Sequence, residues 1–399
     1  MKILVVSSLS ILDAVGGAER STHLTAVALA RLGHDVSLVA FSRTSSPGIY
    51  YVDGIKIYLF RLVNFYWPFT QEIRPSWLRI LFNALDVFNP YSIYCAIMVA
   101  NRERSDLIWS NMIKGWSAGL WIAFRLLRLP VVATLREFDS LYSGSSLMRN
   151  PDRPQKVWGL WQIKSIISLA PNLVIGISHD ILNRYIASGY FKFADRCVIG
   201  NPIVVDARSA RFCRNRDERK LRIGWLGRFS GEKGLTVFLD VAKFLKEAGS
   251  AFSFEVAGNG DSELLHLVLE AERSGYVHYH GYKKSSDFLQ CVDVLVVTSL
   301  WPEPFGRVVI EAFQNYCYVI SSNRGGLPEV NSNPLIGSIY DGTVYGLLDA
   351  LEHLDADIVK IDPSVFDFEI EKYLDTIIGR KYEEVFISLL EIQCSEAVI

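Results

Sequence analysis

The run Asp293-Val-Leu-Val-Val-Thr-Ser299 is short, apolar and rich in β-branched residues, and Trp301-Pro-Glu-Pro-Phe-Gly-Arg-Val-Val-Ile-Glu311 follows it almost at once. Such a run reads as a strand buried on both faces, which belongs in a parallel sheet covered by helices. Val308, Val309, Glu311, Ala312 and Phe313 have the spacing of a helix start, so residues 301–306 form a strand-to-helix loop and Gly306-Arg307 open the helix. In an open α/β sheet, ligands bind beyond the carboxyl ends of the strands, where this loop must lie. Free N–H groups at a helix start favour an anion, reinforced by roughly half a positive charge from the dipole. Two carboxylates flank that position, Glu303 in the loop and Glu311 in the helix. A carboxylate can accept from two vicinal hydroxyls at once, as sugars and riboses present them.

The rest of the chain repeats this alternation. Residues 2–8 read as a strand, a loop containing Gly16-Gly17 follows, then a helix over 19–32 and a strand over 34–41. Gly16-Gly17 is not part of a G-x-G-x-x-G pattern, which disfavours a dinucleotide cofactor. Residues 50–61 alternate like one or two strands. Strands follow at 106–111, 130–135, 173–178 and 196–202, with helices at about 114–127, 158–169 and 180–188 between them. A second series begins at Leu221, with a strand and then Arg228-Phe-Ser-Gly-Glu-Lys233-Gly leading into a helix over 235–247. Two cations beside a helix start suit a diphosphate, because charge-assisted hydrogen bonds are roughly twice as strong as neutral ones. Further strands are expected at 252–260, 277–281 and 317–321, and helices at 261–274, 343–353 and 368–390, the last broken at Gly379.

With 399 residues, two domains of ordinary size are expected. No stretch reaches the ~18 uninterrupted apolar residues of a membrane span, and the N-terminal apolar run is too short for a signal peptide. Six cysteines, at 95, 197, 213, 291, 317 and 394, form no C-x-x-C pair; this suits a reducing cytoplasm and offers no metal site. Charge is uneven: residues 1–204 carry 21 Lys and Arg against 13 Asp and Glu, and the remainder carries 20 against 30. A basic half beside an acidic half points to an anionic partner for the first. Residues 62–104 are dense in aromatics (Phe65, Tyr66, Trp67, Phe69, Trp77, Phe82, Phe88, Tyr91 and Tyr94), interleaved with Arg74, Arg79, Arg102 and Arg104. This composition fits a helix on a membrane interface or packed core with snorkelling arginines; core is preferred for its first half. Residues 139–157 read as a mobile loop on the acceptor side, and residues 206–220 as a charged, solvated linker rather than a nucleic-acid patch.

Glu303 and Glu311, with seven residues between them in Glu-Pro-Phe-Gly-x-x-x-x-Glu-Ala, resemble the signature of the retaining, two-Rossmann-domain (GT-B) glycosyltransferases of family 4. Gly227-Arg228 with Lys233-Gly234 resembles that family's Gly-Arg-x-x-x-x-Lys-Gly motif, and Asn323-Arg-Gly-Gly-Leu-Pro-Glu329 its Gly-Gly-x-x-Glu turn. The likeness is strong over 221–330, moderate over 1–40 and weak over 60–160. It implies an acceptor-binding domain over 1–204, completed by a returning helix at about 381–399, and a nucleotide-sugar domain over 205–380. It implies that Glu303 contacts the donor sugar and Glu311 the ribose, and that Arg228 and Lys233 meet the diphosphate. Gly16, Gly17, Gly258, Tyr282, Pro304, Phe305, Gly306, Arg307 and Val308 complete the implied nucleotide-sugar site. Where many relatives have His-Asp this chain has Arg136-Glu137; Arg136 is either a ligand for the donor phosphate or an anionic acceptor, or it is structural. The expected activity is metal-independent transfer from a nucleoside diphosphate sugar, with UDP favoured, to a glycan or lipid-linked acceptor, and no cofactor is expected. The expected location is the cytoplasm, with peripheral contact between the first domain and an anionic membrane. A catalytically weak scaffold of the same fold, or a nucleotide-sugar epimerase, is the alternative. Asp355-Ala-Asp357 is the only Asp-x-Asp triplet and reads as surface.

Overall fold

The computed structural model describes residues 1–13, 16–70, 74–138, 141, 160–204 and 220–396. The expectations for most of 139–157 and for 206–219 lie outside these residues. The chain divides into two compact units, Met1–Ile203 with Leu374–Ile399, and Val204–Tyr373.

In the first unit the strands are β1 (Lys2–Val6), β2 (Asp35–Phe41), β3 (Gly48–Val52), β4 (Ile55–Phe60), β5 (Leu107–Ser110), β6 (Val131–Leu135), β7 (Leu173–Gly176) and β8 (Asp195–Val198). The helices between them are α1 (Gly17–Arg31), α2 (Ser76–Leu85), α3 (Pro90–Glu103), α4 (Gly119–Leu126), α5 (Leu160–Ile167) and α6 (His179–Ala187). Among the described residues the sheet order is β3-β4-β2-β1-β5-β6-β7-β8, parallel except for β3. The exception follows from the two-residue turn Asp53-Gly54, where both residues have positive φ, as a tight hairpin requires. The interior strands β1, β5 and β6 are buried along almost their whole length, as parallel strands covered on both faces must be.

The second unit holds β9 (Arg222–Phe229), α7 (Leu235–Glu247), β10 (Ser253–Gly260), α8 (Ser262–Arg273), β11 (His278–Tyr279), α9 (Ser285–Leu289) and β12 (Val294–Val297). It continues with α10 (Arg307–Phe313), β13 (Tyr318–Ser322), α11 (Leu327–Val330), β14 (Gly337–Tyr340), α12 (Val344–Glu352) and α13 (Pro363–Glu371). All its paired strands are parallel, in the order β11-β10-β9-β12-β13-β14. From β9 the chain first winds outward through β10 to β11 and then reverses through β12 to β14. The gap between β9 and β12 is therefore the topological switch point, where the crevice of an open sheet forms.

Helix α14 (Asp375–Glu396) belongs to the first unit and packs against α1. Ile378, Tyr382, Phe386 and Leu389 join a core with Ile3, Val5, Leu29 and Trp109. A Cβ on Gly379 would come within 2.7 Å of the Ala28 Cβ, so this glycine marks a close helix crossing. The expected helix over 368–390 is thus two helices, and the break falls at 372–374 rather than at Gly379. The second unit correspondingly ends at Tyr373 rather than 380, and the return begins at Leu374 rather than about 381. The preference for packed core in the first half of 62–104 is also corrected. Phe82 is buried and Tyr66, Trp67 and Phe69 are half-buried, but Phe65 and Trp77 are exposed, as are Ile80 and Leu81. Strand β14 was not expected from the sequence. Among the described residues no helix is long and apolar enough to cross a membrane.

Candidate functional site

The switch point of the second unit gathers the charged residues of both motifs. Strand β9 ends at Phe229, a 3-10 turn covers Gly231–Lys233, and α7 begins at Leu235. Gly234 joins turn to helix at φ 66°, and a Cβ there would lie 2.0 Å from the Thr298 carbonyl oxygen. Glycine is therefore required twice, by conformation and by the closeness of the segment after β12. That closeness is bonded in place. The Thr298 hydroxyl donates to the Lys233 carbonyl (2.9 Å), the Trp225 indole donates to the Thr298 hydroxyl (2.8 Å), and the Leu300 amide donates to the Glu232 carbonyl (2.9 Å).

Lys233 Nζ consequently lies 2.5 Å from Glu303 Oε1 and 5.7 Å from the centre of the Trp301 ring. Glu303 is 8% exposed, and the Ser299 hydroxyl donates to the same carboxylate oxygen at 2.6 Å. Burial alone would raise the pKa of Glu303. The charge and hydrogen bond of Lys233, with hydrogen bonds from Ser299 and Trp301, outweigh burial and hold it below the usual carboxylate value. The backbone of Glu303 is clasped as well. It bridges to Gly325, its carbonyl accepts from the Gly326 amide (2.7 Å), and a Cβ on Gly325 would lie 2.3 Å from that carbonyl oxygen. The Gly-Gly turn read from the sequence thus fixes the loop that carries Glu303.

Gly306 caps α10 with φ 93°, Phe305 is buried, and Pro304, Arg307 and Val308 are half-buried around the helix start. Arg307 reaches Glu311 at 3.5 Å across one helical turn. Helix α10 is seven residues long and starts at Arg307, with Gly306 as its cap. Arg228 is half-exposed and pairs with Glu232 at 2.9 Å. Gly258, at φ 149°, lets β10 approach β9, since a Cβ would lie 2.0 Å from the Gly227 carbonyl oxygen. Tyr282 is 79% exposed, just beyond Gly281, whose carbonyl accepts from the Gly258 amide.

The first unit holds the remaining candidates. Gly16 caps α1, and its amide donates to Glu19 Oε2 (3.1 Å); Gly17 is the first helical residue. Arg136, at the end of β6, is 5% exposed and donates to the amide oxygens of Asn111 (2.9 Å) and Asn201. Sequence reasoning missed Ser299, Thr298, Asn111 and Asn201 as partners. Their signal was available, because each is a short polar residue at or just beyond the carboxyl end of a strand, where site residues collect. Asp355 caps the 3-10 turn Ala356–Lys360 and Asp357 pairs with Lys360, as the surface reading of that triplet expects. Among the described residues, Glu255 on β10, His278 on β11 and His280 just after it are the one group with metal-ligand spacing. Glu255 stands five residues before the end of β10, away from the strand ends that carry Lys233 and Glu303.

The sequence matches the family model of glycosyl transferases group 1 over residues 206–354, and that of a glycosyl transferase 4-like domain over residues 16–202. The chain is a group 1 glycosyltransferase. Its two matched segments follow the two units, and this glycosyltransferase has the GT-B fold. The chain is 27% identical over 392 residues to an uncharacterized 42.6 kDa protein in the cps region of Klebsiella pneumoniae, covering 94% of this chain and 99% of that one. It is 26% identical over 155 residues to the amylovoran biosynthesis glycosyltransferase AmsK of Erwinia amylovora, covering 35% of this chain and 38% of that one. Among solved structures, Anabaena HepE in complex with UDP superposes with a TM-score of 0.69 at 18% identity, covering 97% of this chain and all of that one.

Proposed function

We propose that this glycosyltransferase moves a sugar from a UDP-sugar to a glycan or lipid-linked acceptor in polysaccharide or glycolipid biosynthesis, without a metal and with retention at the anomeric carbon. The observation that carries the reading is the Lys233–Glu303 pair at the switch point of the second unit. Departure of a nucleoside diphosphate concentrates negative charge on phosphate oxygens. A preorganised cation in a water-poor site stabilises that charge without reorganisation. Lys233 supplies a partly sheltered cation locked by Thr298 and Glu303, and Arg228 a second, half-exposed one. In this proposal Glu303 accepts from hydroxyls of the donor sugar and Glu311 from those of the ribose. UDP is favoured because the structurally similar HepE is described with UDP, and polysaccharide synthesis because relatives are named for a cps region and for amylovoran biosynthesis.

The test is a thermal-shift screen of UDP, GDP and ADP, with and without EDTA, because a ligand of the folded state raises its melting midpoint by mass action. A shift with UDP that EDTA leaves unchanged is the expected result. A shift with no diphosphate would overturn the site, and a UDP shift abolished by EDTA would overturn the metal-free mechanism. Glu311→Ala is expected to abolish transfer while the protein stays folded; full activity in that variant removes Glu311 from the site. Slow UDP release from UDP-sugar in the absence of acceptor separates a transferase from a scaffold.

A further inference from the structure

Strand β11 is two residues long and forms an outer edge of the second unit's sheet, where among the described residues it pairs only with β10. Successive side chains of a strand point to opposite faces. Tyr279 turns toward the core: its ring packs on Phe229 and its hydroxyl donates to the Gly258 carbonyl (3.0 Å). His278 and His280, one on each side of it, therefore turn to the other face. Their rings meet edge to face with centres 4.6 Å apart, and the His280 ring packs on Phe288 of α9.

The neighbouring strand presents a carboxylate to that pair. Glu255 is the register partner of His278, and it alternates with Phe254 and Val256, which point into the core. It is 7% exposed, and a buried carboxylate requires hydrogen-bonding partners. The Ser253 hydroxyl donates to Oε1 (2.6 Å), and His280 Nε2 lies 2.8 Å from Oε2. One ligand atom from each of Glu255, His278 and His280 lies within 4.8 Å of the other two. Glu272 of α8 borders the group, its Oε1 accepting from the Tyr279 amide (3.0 Å) and lying 3.7 Å from His278 Nδ1.

We propose that Glu255, His278 and His280 bind a divalent transition-metal ion of the zinc class, which staples β11 to β10. The donor set decides the class. Two imidazoles and a carboxylate suit zinc, nickel or copper, whereas magnesium and calcium take oxygen ligands. Zinc bonds of about 2.0–2.2 Å in tetrahedral geometry set ligand atoms roughly 3.3 Å apart. Small movements reach that arrangement: the His280–Glu255 pair opens by about half an ångström and the exposed His278 ring swings inward. The groups behind the ligands are those a metal site ordinarily has. Ser253 fixes the carboxylate, and Glu272 stands where it orients His278. Three protein ligands leave a fourth position for water.

A staple answers a weakness of this edge. The ladder between β10 and β11 consists of Glu255 with His278 and Val256 with Tyr279. Metal–ligand bonds would join the same two strands from their polar face. The group lies away from the strand ends that carry Lys233 and Glu303, so the metal takes no part in transfer and the site does not rest on the transferase reading.

The experiment uses the full chain, stripped with EDTA, dialysed free of the chelator and kept without nucleotide. Zinc sulfate is titrated by calorimetry and melting is followed at each concentration, with magnesium chloride as the comparison. One zinc per chain is expected, with a melting midpoint that rises with zinc by mass action and does not rise with magnesium. His278→Ala is expected to weaken zinc binding at least about tenfold, the low end of the loss when even an outer partner of a metal ligand is removed. His278 is exposed, so the metal-free variant should melt with the metal-free wild type, which shows that it is folded. His266→Ala, which removes an exposed histidine of α8, should bind zinc as the wild type does. Absence of stoichiometric zinc binding overturns the proposal. So does wild-type affinity in His278→Ala, or an equal loss in His266→Ala, which marks adventitious binding to surface histidines. The UDP shift is read separately on the metal-free chain; its loss fails the transferase reading and leaves the zinc result standing.

Discussion

Each unit holds a cation at the end of a central strand, and the two are held differently. Arg136 in the first unit is fixed by two neutral amide oxygens, from Asn111 and Asn201. Lys233 in the second is fixed by a buried carboxylate, Glu303, which is itself bound by Ser299. The two amide oxygens are among the partners that position the Arg136 guanidinium. A carboxylate cancels the charge of a lysine until a ligand takes over one of the partners. The difference sets the two sites apart: Arg136 is tied to the strand ends of its own unit, whereas Lys233 and Glu303 form a pair that, in the proposed function, a donor with both phosphate and hydroxyl groups divides.

The largest expected effect comes from breaking the pair. Lys233→Met leaves a buried carboxylate without its counter-charge, which costs roughly 3 kcal/mol of stability. Transfer is expected to fall by about a thousandfold, the upper range for losing one preorganised electrostatic group. The double variant Lys233→Met, Glu303→Gln should recover most of the melting temperature and none of the UDP shift. Recovery of both would mean that the pair is structural. Next in size is Arg136→Met, which removes the donor to Asn201 and one donor to Asn111, at a cost of about 2 kcal/mol. Its thermal shift with UDP should match the wild type; loss of that shift would make Arg136 a donor ligand and erase the contrast. The smallest effect is on pH dependence. The folded-state pKa of Glu303 is depressed, so its contribution is complete above the unfolded value of about 4.5 and is lost as pH falls through the lower folded value. Glu303→Gln should flatten the acid limb of the melting profile, and an unchanged limb would show that another carboxylate controls it.

Much of the second unit was legible because its site is short in sequence. Arg228 to Gly234 and Glu303 to Glu311 each form one loop and one helix start, so the type and spacing of their residues carried the geometry. Arg136 was readable as a position but not as a role, since its partners Asn111 and Asn201 come from distant segments that only the fold brings together. The composition of 62–104 suggested burial because aromatic content does not say which way a helix faces; Phe82 points in and Trp77 points out, five residues apart. Gly379 was taken for a helix break because glycine weakens helices. Here the missing side chain serves the approach to Ala28, and tertiary packing overrides local propensity.

That crossing has a consequence for how the molecule is made. The first unit is assembled from both ends of the sequence, with the second unit inserted between Ile203 and Leu374. During synthesis from the N-terminus, the second unit has its whole sheet before the first can bury Trp109 under Tyr382 and Phe386. Until α14 emerges, one face of an eight-stranded sheet stays partly open. The second unit therefore has its full sequence before the first does, and the first is sealed only by the helix that follows it.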